Sequence, residues 1–303
     1  MKSALKSLLA ILVSVGLCLF ITWVYLRGRA LAKPVPEPLD HPFSQSLDSV
    51  VVAHRGGWQE RPENTMMALE HAAALSDNVI LWVDVRPTKD RTLVLFRDRN
   101  LETTTNGKGW IGFTPDAELF QLDAGYQFQT SDGSYPYRGQ GLKIPTLNEA
   151  LQKFPNHRWI LNFHDYGPGM ADVIIKTIKE FKMSDRVLIA SPEDGILRDM
   201  REKEAMWLYG TSQAQATRMK MMAALGLEPV VPLQGDVFVL ETVTKRPSLY
   251  SLSDSILKEV HRRKLKIIAG PSYNKEDALE MRRRGINGVM TGEPSTLVDQ
   301  AKR

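Results

Sequence analysis

One stretch of this sequence points to both a fold and a chemistry: Val50-Val51-Val52-Ala53-His54-Arg55-Gly56-Gly57. Its β-branched residues favour a strand, and the glycine pair that follows favours a turn. An imidazole that exchanges protons near neutral pH and a guanidinium that holds phosphate therefore leave one strand end together. The next segment, residues 62–65 (Pro-Glu-Asn-Thr), adds a carboxylate and polar side chains that can cap a helix.

Short apolar runs then alternate with helix-like segments along the chain. The candidate strands are residues 49–54, 79–85, 159–164, 186–191, 205–210, 236–240, 265–269 and 286–291. This alternation predicts an α/β protein with a parallel sheet and crossover helices. Eight strands over roughly 250 residues are typical of a (β/α)₈ TIM barrel, and a doubly wound open sheet is the alternative.

Four polar residues lie at the carboxyl ends of candidate strands: His54, Asp84, His164 and Thr291. Because TIM-barrel enzymes carry their functional groups at these ends, their position favours the barrel. Residues 97–145 fit the alternation less well and are rich in Gly, Asp and Thr. We interpret them as an insertion after the second strand that forms a lid over the barrel mouth, with a purely structural loop as the alternative.

The basic excess of the chain is confined to its N-terminus. The net charge is +4, but residues 1–33 hold five Lys or Arg and no acid, so residues 34–303 carry −1. The pI of about 9.0 therefore reflects the N-terminal segment. Since nucleic-acid binding needs a basic surface on the folded body, we expect no nucleic-acid partner.

Residues 8–26 form an apolar run without a charge. At about 1.5 Å per residue, such a helix can cross a hydrocarbon core of roughly 30 Å. We predict a single-pass transmembrane anchor over residues 1–33, a proline-containing linker over 34–48 and the barrel over 49–303. A signal peptide cleaved after residues 30–32 (Ala-Leu-Ala) is the alternative. The basic flanks are nearly balanced, and we expect the body on the non-cytoplasmic side.

In their order and spacing, short motifs along the body resemble those of the glycerophosphodiester phosphodiesterase family. They are residues 52–56, 62–65, 84–85, 88–90, 98–101, 103–104, 107–109, 122–125, 137–141, 144–147 and 285–291. The resemblance covers roughly residues 49–298 and implies a TIM barrel that hydrolyses phosphodiesters. It also implies two histidines as acid and base, an arginine and a lysine on the phosphate, and two glutamates and an aspartate on Ca²⁺ or Mg²⁺.

Matched to this sequence, the resemblance assigns roles to four residues. His54 is the first catalytic histidine, and Arg55 is the arginine that binds phosphate and assists catalysis. Asp84 corresponds to a metal-binding aspartate, and Glu63 is the carboxylate of the Pro-Glu-Asn-Thr motif. Hard divalent cations prefer such carboxylate oxygens, and they neutralise charge on phosphoryl oxygens.

Several other positions depart from the family pattern. Trp82 replaces the glutamate of the Glu-x-Asp motif, and Arg97 replaces the second histidine. His164 and Tyr166 stand where the family has Glu-x-Lys, and residues 291–294 read Thr-Gly-Glu-Pro where it has Thr-Asp-x-Pro. Arginine cannot exchange a proton at neutral pH, although it can hold a phosphate.

The candidate phosphate-binding residues are therefore Arg55 and Arg97, and the candidate metal ligands are Asp84, Glu63 and His164. Imidazole at position 164 suits transition metals better than Ca²⁺ or Mg²⁺. Asp165 is not expected to replace the lost glutamate, because strand alternation points it to the other face. A structural ion pair between Asp84 and an arginine is the alternative to metal binding.

Three functions remain open at this point. The first is a membrane-anchored phosphodiesterase that acts on a phosphodiester or another small molecule derived from phospholipid, such as a headgroup, with His54 as acid/base. The second is an inactive relative that binds a phosphorylated ligand as a sensor or envelope scaffold. The third is a structural barrel that contacts another membrane protein, in which His54 is merely a structural histidine.

Overall fold

Eight parallel strands form the central sheet of the computed structural model, which describes residues 2–165, 167–241 and 253–301. The strands are β1 (Val50–His54), β2 (Ile80–Pro87), β4 (Arg158–Phe163), β5 (Val187–Ala190), β6 (Leu208–Tyr209), β7 (Val237–Glu241), β8 (Lys266–Ser272) and β9 (Gly288–Thr291). A ninth strand, β3 (Leu93–Leu95), pairs antiparallel with β2. The predicted strands are therefore all present, with boundaries shifted by a few residues.

The sheet closes on itself. Its strands follow the order β6-β5-β4-β2-β1-β9-β8-β7, and a parallel bridge between Gly210 and Val237 joins the two end strands. This is the TIM barrel that the alternation predicted, and the open doubly wound sheet is wrong.

Helices precede, connect and follow the strands. They are α1 (Lys2–Leu31), α2 (Pro42–Gln45), α3 (Met66–Leu75), α4 (Asp116–Leu119), α5 (Leu147–Lys153), α6 (Met170–Glu180), α7 (Asp194–Lys203), α8 (Gln213–Ala223), α9 (Asp254–Arg262), α10 (Lys275–Arg283) and α11 (Pro294–Ala301). Several helices begin at a residue whose side chain caps the first turn. At the start of α3, for example, the Thr65 side chain accepts a hydrogen bond from the Ala68 N–H.

Side-chain alternation separates the interior of the barrel from the face that packs on the helices. The interior cluster consists of Phe43, Leu47, Val50, Val52, Ile80, Trp82, Ile160, Leu188, Ala190, Leu208, Val237, Val239, Ile268 and Met290. Val51 and Ala53 lie on the opposite face, in the larger core under the helices. Phe43 and Leu47 are completely buried, so the packed body begins within the segment predicted as a linker.

The insertion has a small core of its own. Leu101, Ile111, Leu119 and Ile144 pack there with residues that follow β3. The carboxylate of Asp123 accepts from backbone N–H groups in two separate turns of the segment. The insertion is also tied to β3, since a bridge joins Val94 to Thr146 and the Leu95 N–H donates to the Pro145 carbonyl.

Helix α1 contains a segment, Lys6–Leu31, that is long and apolar enough to cross a membrane, and its most apolar window is not buried by the rest of the chain. A signal sequence has the same length and composition. Near the end of this segment, Trp23 Nε1 donates to the Leu225 carbonyl at 2.7 Å, and Arg27 lies 3.4 Å from Glu228. Leu225 lies in the connection from α8 to β7, so α1 meets the barrel end at which the strands begin.

Candidate active site

Strand alternation brings several polar side chains into the barrel mouth. His54 continues the inward series of Val50 and Val52, and Asp84 continues that of Ile80 and Trp82. In the same way, Asn162 and His164 follow Ile160, and Glu241 follows Val239. With Arg55 and Glu63 from the first strand-to-helix loop, the contacting residues form the mouth cluster: His54, Arg55, Glu63, Asp84, Asn162, His164 and Glu241.

Arg55 lies at the centre of the mouth cluster. Its backbone adopts a left-handed φ of 55° directly after β1, a conformation that costs energy for a non-glycine residue and is typical of functional sites. Its guanidinium lies 2.9 Å from Glu63, 3.3 Å from Asp84 and 3.4 Å from Glu241. Burial alone would lower the pKa of Arg55, but these three carboxylates outweigh it and raise the pKa. Arg55 therefore stays protonated and links three strands of the mouth.

The glycine pair after Arg55 allows the loop to pack closely. Gly56 has a φ of 76°, and a Cβ there would lie 2.7 Å from the Ala68 Cβ. Gly57 has a φ of 94°, and a Cβ there would lie 2.8 Å from Pro294. Side chains at these positions would push the loop away from α3 and α11 and displace Arg55.

Asp84 is buried, and both of its carboxylate oxygens are engaged. Oδ1 accepts from Asn162 Nδ2 and lies 2.8 Å from His164 Nε2. Oδ2 faces Arg55 and Asn64. Burial would raise the pKa of Asp84, but the hydrogen bond and charge of His164, followed by the charge of Arg55, hold the pKa well below its usual value. Asp84 is therefore an ionised anchor for its neighbours.

His54 is 1% exposed, yet neither ring nitrogen has a hydrogen-bond partner among the described residues. Its Nε2 lies 3.3 Å from a Glu241 oxygen, at an angle that is not that of a hydrogen bond. The ring also meets Trp82 edge-on, with centroids 5.4 Å apart. Buried polar atoms in folded proteins normally have partners, so His54 is positioned to bind a group that enters the mouth.

Glu241 and Asn162 are site residues that we did not single out from the sequence. The signal for Glu241 was present, since a carboxylate ends the apolar run Val-Phe-Val-Leu of β7. Burial raises the pKa of Glu241, but the neighbouring His54 outweighs it and the pKa is lowered. Glu241 is therefore a carboxylate that faces both His54 and Arg55. The segment that follows it lies outside the described residues.

The donor set of the mouth does not fit the Ca²⁺ or Mg²⁺ that the resemblance implies. Ca²⁺ takes six to eight oxygen ligands, and Mg²⁺ takes six. Asp84 has no oxygen free of a hydrogen bond or ion pair, and Glu63 is paired with the guanidinium. Trp82, which replaces a metal-binding glutamate, fills the barrel interior and offers only an N–H. His164 Nε2 contacts Asp84 Oδ1 instead, at 2.8 Å. Within the described ranges, no group of three or more His, Cys, Asp or Glu could hold a metal ion.

The other candidate residues lie around the mouth cluster. Arg97 Nη1 lies 3.4 Å from Asp98, and the structure shows no ion pair between Arg97 and the described cluster residues. Asp165 pairs with Arg86 and Arg99. Tyr166 lies outside the described residues.

Known proteins support this assignment of the fold. The sequence matches the glycerophosphoryl diester phosphodiesterase family over residues 54–296. A glycerophosphodiester phosphodiesterase from Caldanaerobacter subterraneus subsp. tengcongensis is 27% identical over 262 residues, which cover 85% of this chain and 99% of the relative. One from Bacillus subtilis is 26% identical over 255 residues, covering 81% and 84%.

Solved structures show the same fold. The glycerophosphoryl diester phosphodiesterase domain of a Mycobacterium tuberculosis protein superposes with a TM-score of 0.69 at 22% identity, covering 84% of this chain and 99% of that domain. An Oleispira antarctica phosphodiesterase in complex with the product sn-glycerol-3-phosphate has a TM-score of 0.66 at 22% identity, covering 86% and 99%. With the family match over most of its length and the barrel that carries it, this chain belongs to the glycerophosphoryl diester phosphodiesterase family.

Proposed function

We propose that this protein binds a phosphodiester, such as a glycerophospholipid headgroup, at the barrel mouth and hydrolyses it with His54 as the acid/base. The observation that carries the proposal is the buried imidazole of His54, whose nitrogens lack hydrogen-bond partners beside the guanidinium of Arg55. A phosphodiester matches both side chains. Its charged oxygens can pair with the guanidinium of Arg55, and its ester oxygen needs a proton, which His54 can give, when the bond breaks.

Hydrolysis requires a proton for the leaving alkoxide and removal of a proton from the attacking oxygen. A histidine side chain is suited to such a transfer, and a Glu241 oxygen lies 3.3 Å from His54 Nε2. Arg55 offsets the negative charge on the phosphoryl oxygens during the displacement. Arg55 also holds Glu63, Asp84 and Glu241 in place, so that the phosphate meets an ordered set of charges.

A protein that only binds the phosphodiester, as a sensor or envelope scaffold, is the second candidate function. It is favoured by the arginine at position 97, since the second histidine of the family pattern is absent there and Arg97 pairs with Asp98. A protein of this kind would bind the phosphodiester and release no product.

The test is a hydrolysis assay of the full-length protein with glycerophosphocholine, run in a chelator and then with added Ca²⁺ or Mg²⁺. We expect glycerol phosphate to be released at a rate that neither metal raises more than about twofold, and a thermal midpoint that the metals leave unchanged, since a bound ligand would raise it. Binding without product would support the second candidate. Turnover that requires a metal would show that the mouth cluster rearranges around a cation, while the phosphodiesterase assignment would stand.

We further propose that residues 8–26 anchor the protein in a membrane as a single span, with the body on the non-cytoplasmic side. The apolar segment of α1 supports the span, as do the contacts that Trp23 and Arg27, near its end, make with Leu225 and Glu228. The full-length protein should resist extraction from membranes by alkaline carbonate and keep its N-terminus. Release of the body with a new N-terminus near residue 33 would instead indicate a cleaved signal peptide.

A further inference from the structure

Outside α1, the described residues expose large apolar side chains at two places, the insertion and the barrel end at which the strands begin. The first group is Trp110, Phe113 and Tyr135, and the second is Met206, Met221, Leu225 and Val230. In the second group, Met221 and Leu225 are 67% and 62% exposed. Single apolar residues on a protein surface are normal, so it is their grouping that calls for a reason.

Three side chains of the second group lie in the part of the barrel that α1 contacts. Trp23 Nε1 donates to the Leu225 carbonyl at 2.7 Å. Met221 lies in the last turn of α8, four residues before Leu225. Val230 ends a short 3-10 turn that also contacts α1. The exposed apolar side chains are therefore beside the candidate membrane span.

The position of Trp23 along α1 determines how deep this part of the barrel lies when α1 crosses a bilayer. As a helix, residues 8–26 extend over about 28 Å, which matches a hydrocarbon core of roughly 30 Å. Trp23 precedes the end of that run by three residues, or about 4–5 Å. Its partner Leu225 therefore lies near the boundary between hydrocarbon and headgroups. At the next turn of α1, Arg27 lies 3.4 Å from Glu228.

The charges of the contacted segment suit the surface of a bilayer. Between Met219 and Val230 the only acid is Glu228, which is buried and pairs with Arg27. This described segment therefore exposes no carboxylate that lipid phosphates would repel. Lys220 is half-buried, and a lysine at such a boundary can extend its ammonium group to the headgroups.

We propose that Met221, Leu225 and Val230 form a membrane patch that inserts into the boundary layer of the bilayer crossed by α1. This inference rests on the proposed membrane span, because α1 brings the patch to the lipid. The patch moves apolar side chains from water into lipid, as interfacial segments do. The barrel then rests on the bilayer by the end at which its strands begin, and the mouth cluster at the other end opens away from the lipid.

The experiment measures the depth of single fluorescent labels in full-length protein reconstituted into phosphatidylcholine vesicles. Cys18 is the only cysteine of the chain and lies inside the span, so its label reports the anchor itself. Met221→Cys and Leu225→Cys, each combined with Cys18→Ser, carry the label in the membrane patch. In the same background, Glu276→Cys is the control, an exposed position at the start of α10 and thus at the mouth end. We expect a lipid-attached nitroxide to quench the patch labels severalfold more strongly than the control label, and aqueous iodide to do the reverse.

A second set of variants tests whether the apolar side chains cause the contact. Leu225→Gln together with Val230→Gln should reduce lipid quenching of the label at position 221 severalfold. The label at Cys18, in a protein with the same two substitutions, should remain quenched by lipid. Phe113→Gln, which removes an equally exposed apolar side chain in the insertion, is the matched control and should leave the label at position 221 unchanged.

Each outcome has a distinct meaning. If lipid quenches the label at Cys18 but the patch labels behave like the control at position 276, the membrane patch is wrong and the span stands. Patch labels that neither quencher reaches would show that protein covers them, a second copy of this chain or another partner, and would also overturn the lipid contact. If lipid does not quench the label at Cys18, the span and the patch both fail, and the phosphodiesterase proposal is unaffected.

Discussion

Replacing Arg55 with alanine is expected to weaken phosphodiester binding at least about 100-fold, because each charge-assisted hydrogen bond contributes roughly 1.5–3 kcal/mol and 1.4 kcal/mol is a factor of ten. The variant should also be less stable by about 3–5 kcal/mol, since Glu63, Asp84 and Glu241 would lose their shared cation in a buried setting. Calorimetric titration with glycerophosphocholine and urea unfolding measure the two effects.

Two further variants separate charge from shape and from a general loss of structure. Arg55→Lys keeps the positive charge, so most of the stability should return while binding stays weak, because lysine cannot form the same paired contacts. Arg198→Ala, an exposed arginine in α7, is the control and should change neither quantity. Unchanged binding in Arg55→Ala would show that the phosphate lies elsewhere in the mouth. Loss of binding in Arg97→Ala would instead restore the role that the sequence predicted for Arg97.

His54→Gln is expected to reduce turnover by about 10²–10⁴-fold, which is the usual contribution of a positioned acid/base. Binding should change by less than about threefold, since glutamine keeps a polar group at the mouth and Arg55 still holds the phosphate. Initial rates of glycerol phosphate release and calorimetric affinities give the comparison.

The control for this substitution is His261→Gln, an exposed histidine in α9, which should be fully active. Turnover that persists in His54→Gln would assign the proton transfer to another group, and His164 beside Asp84 would be the next residue to replace. Equal losses of turnover and affinity would identify His54 as a binding residue.

The order of strands and helices could be predicted from the sequence because local patterns determine it. β-branched runs such as residues 50–52 form strands, and Thr65 begins α3 as a cap. The alternation of strands and helices then leaves few topologies. The lid role of the insertion is still a prediction, and the linker differs from its prediction because Phe43 and Leu47 find apolar partners that lie far along the chain.

Only part of the functional site could be predicted from the sequence. His54, Arg55 and Asp84 follow from motifs, since each stands at a recognisable strand end. Glu241 and Asn162 carry no motif. The pairing of β4 with β2 brings Asn162 beside Asp84, and the closure of the barrel brings Glu241 to His54. The neighbours of Arg97 also depend on the path of the chain after β3, which residue spacing does not reveal.

By itself, the sequence determined the family, the barrel and the strand end that carries His54 and Arg55, because these depend on local patterns and on motif order. The tertiary structure decided which carboxylates surround Arg55, that Trp82 fills the barrel interior, and that Trp58 and Gln59 pack against Gly292. Electrostatic and packing interactions act between atoms that are close in space, and in a closed barrel those atoms come from strands far apart in the chain.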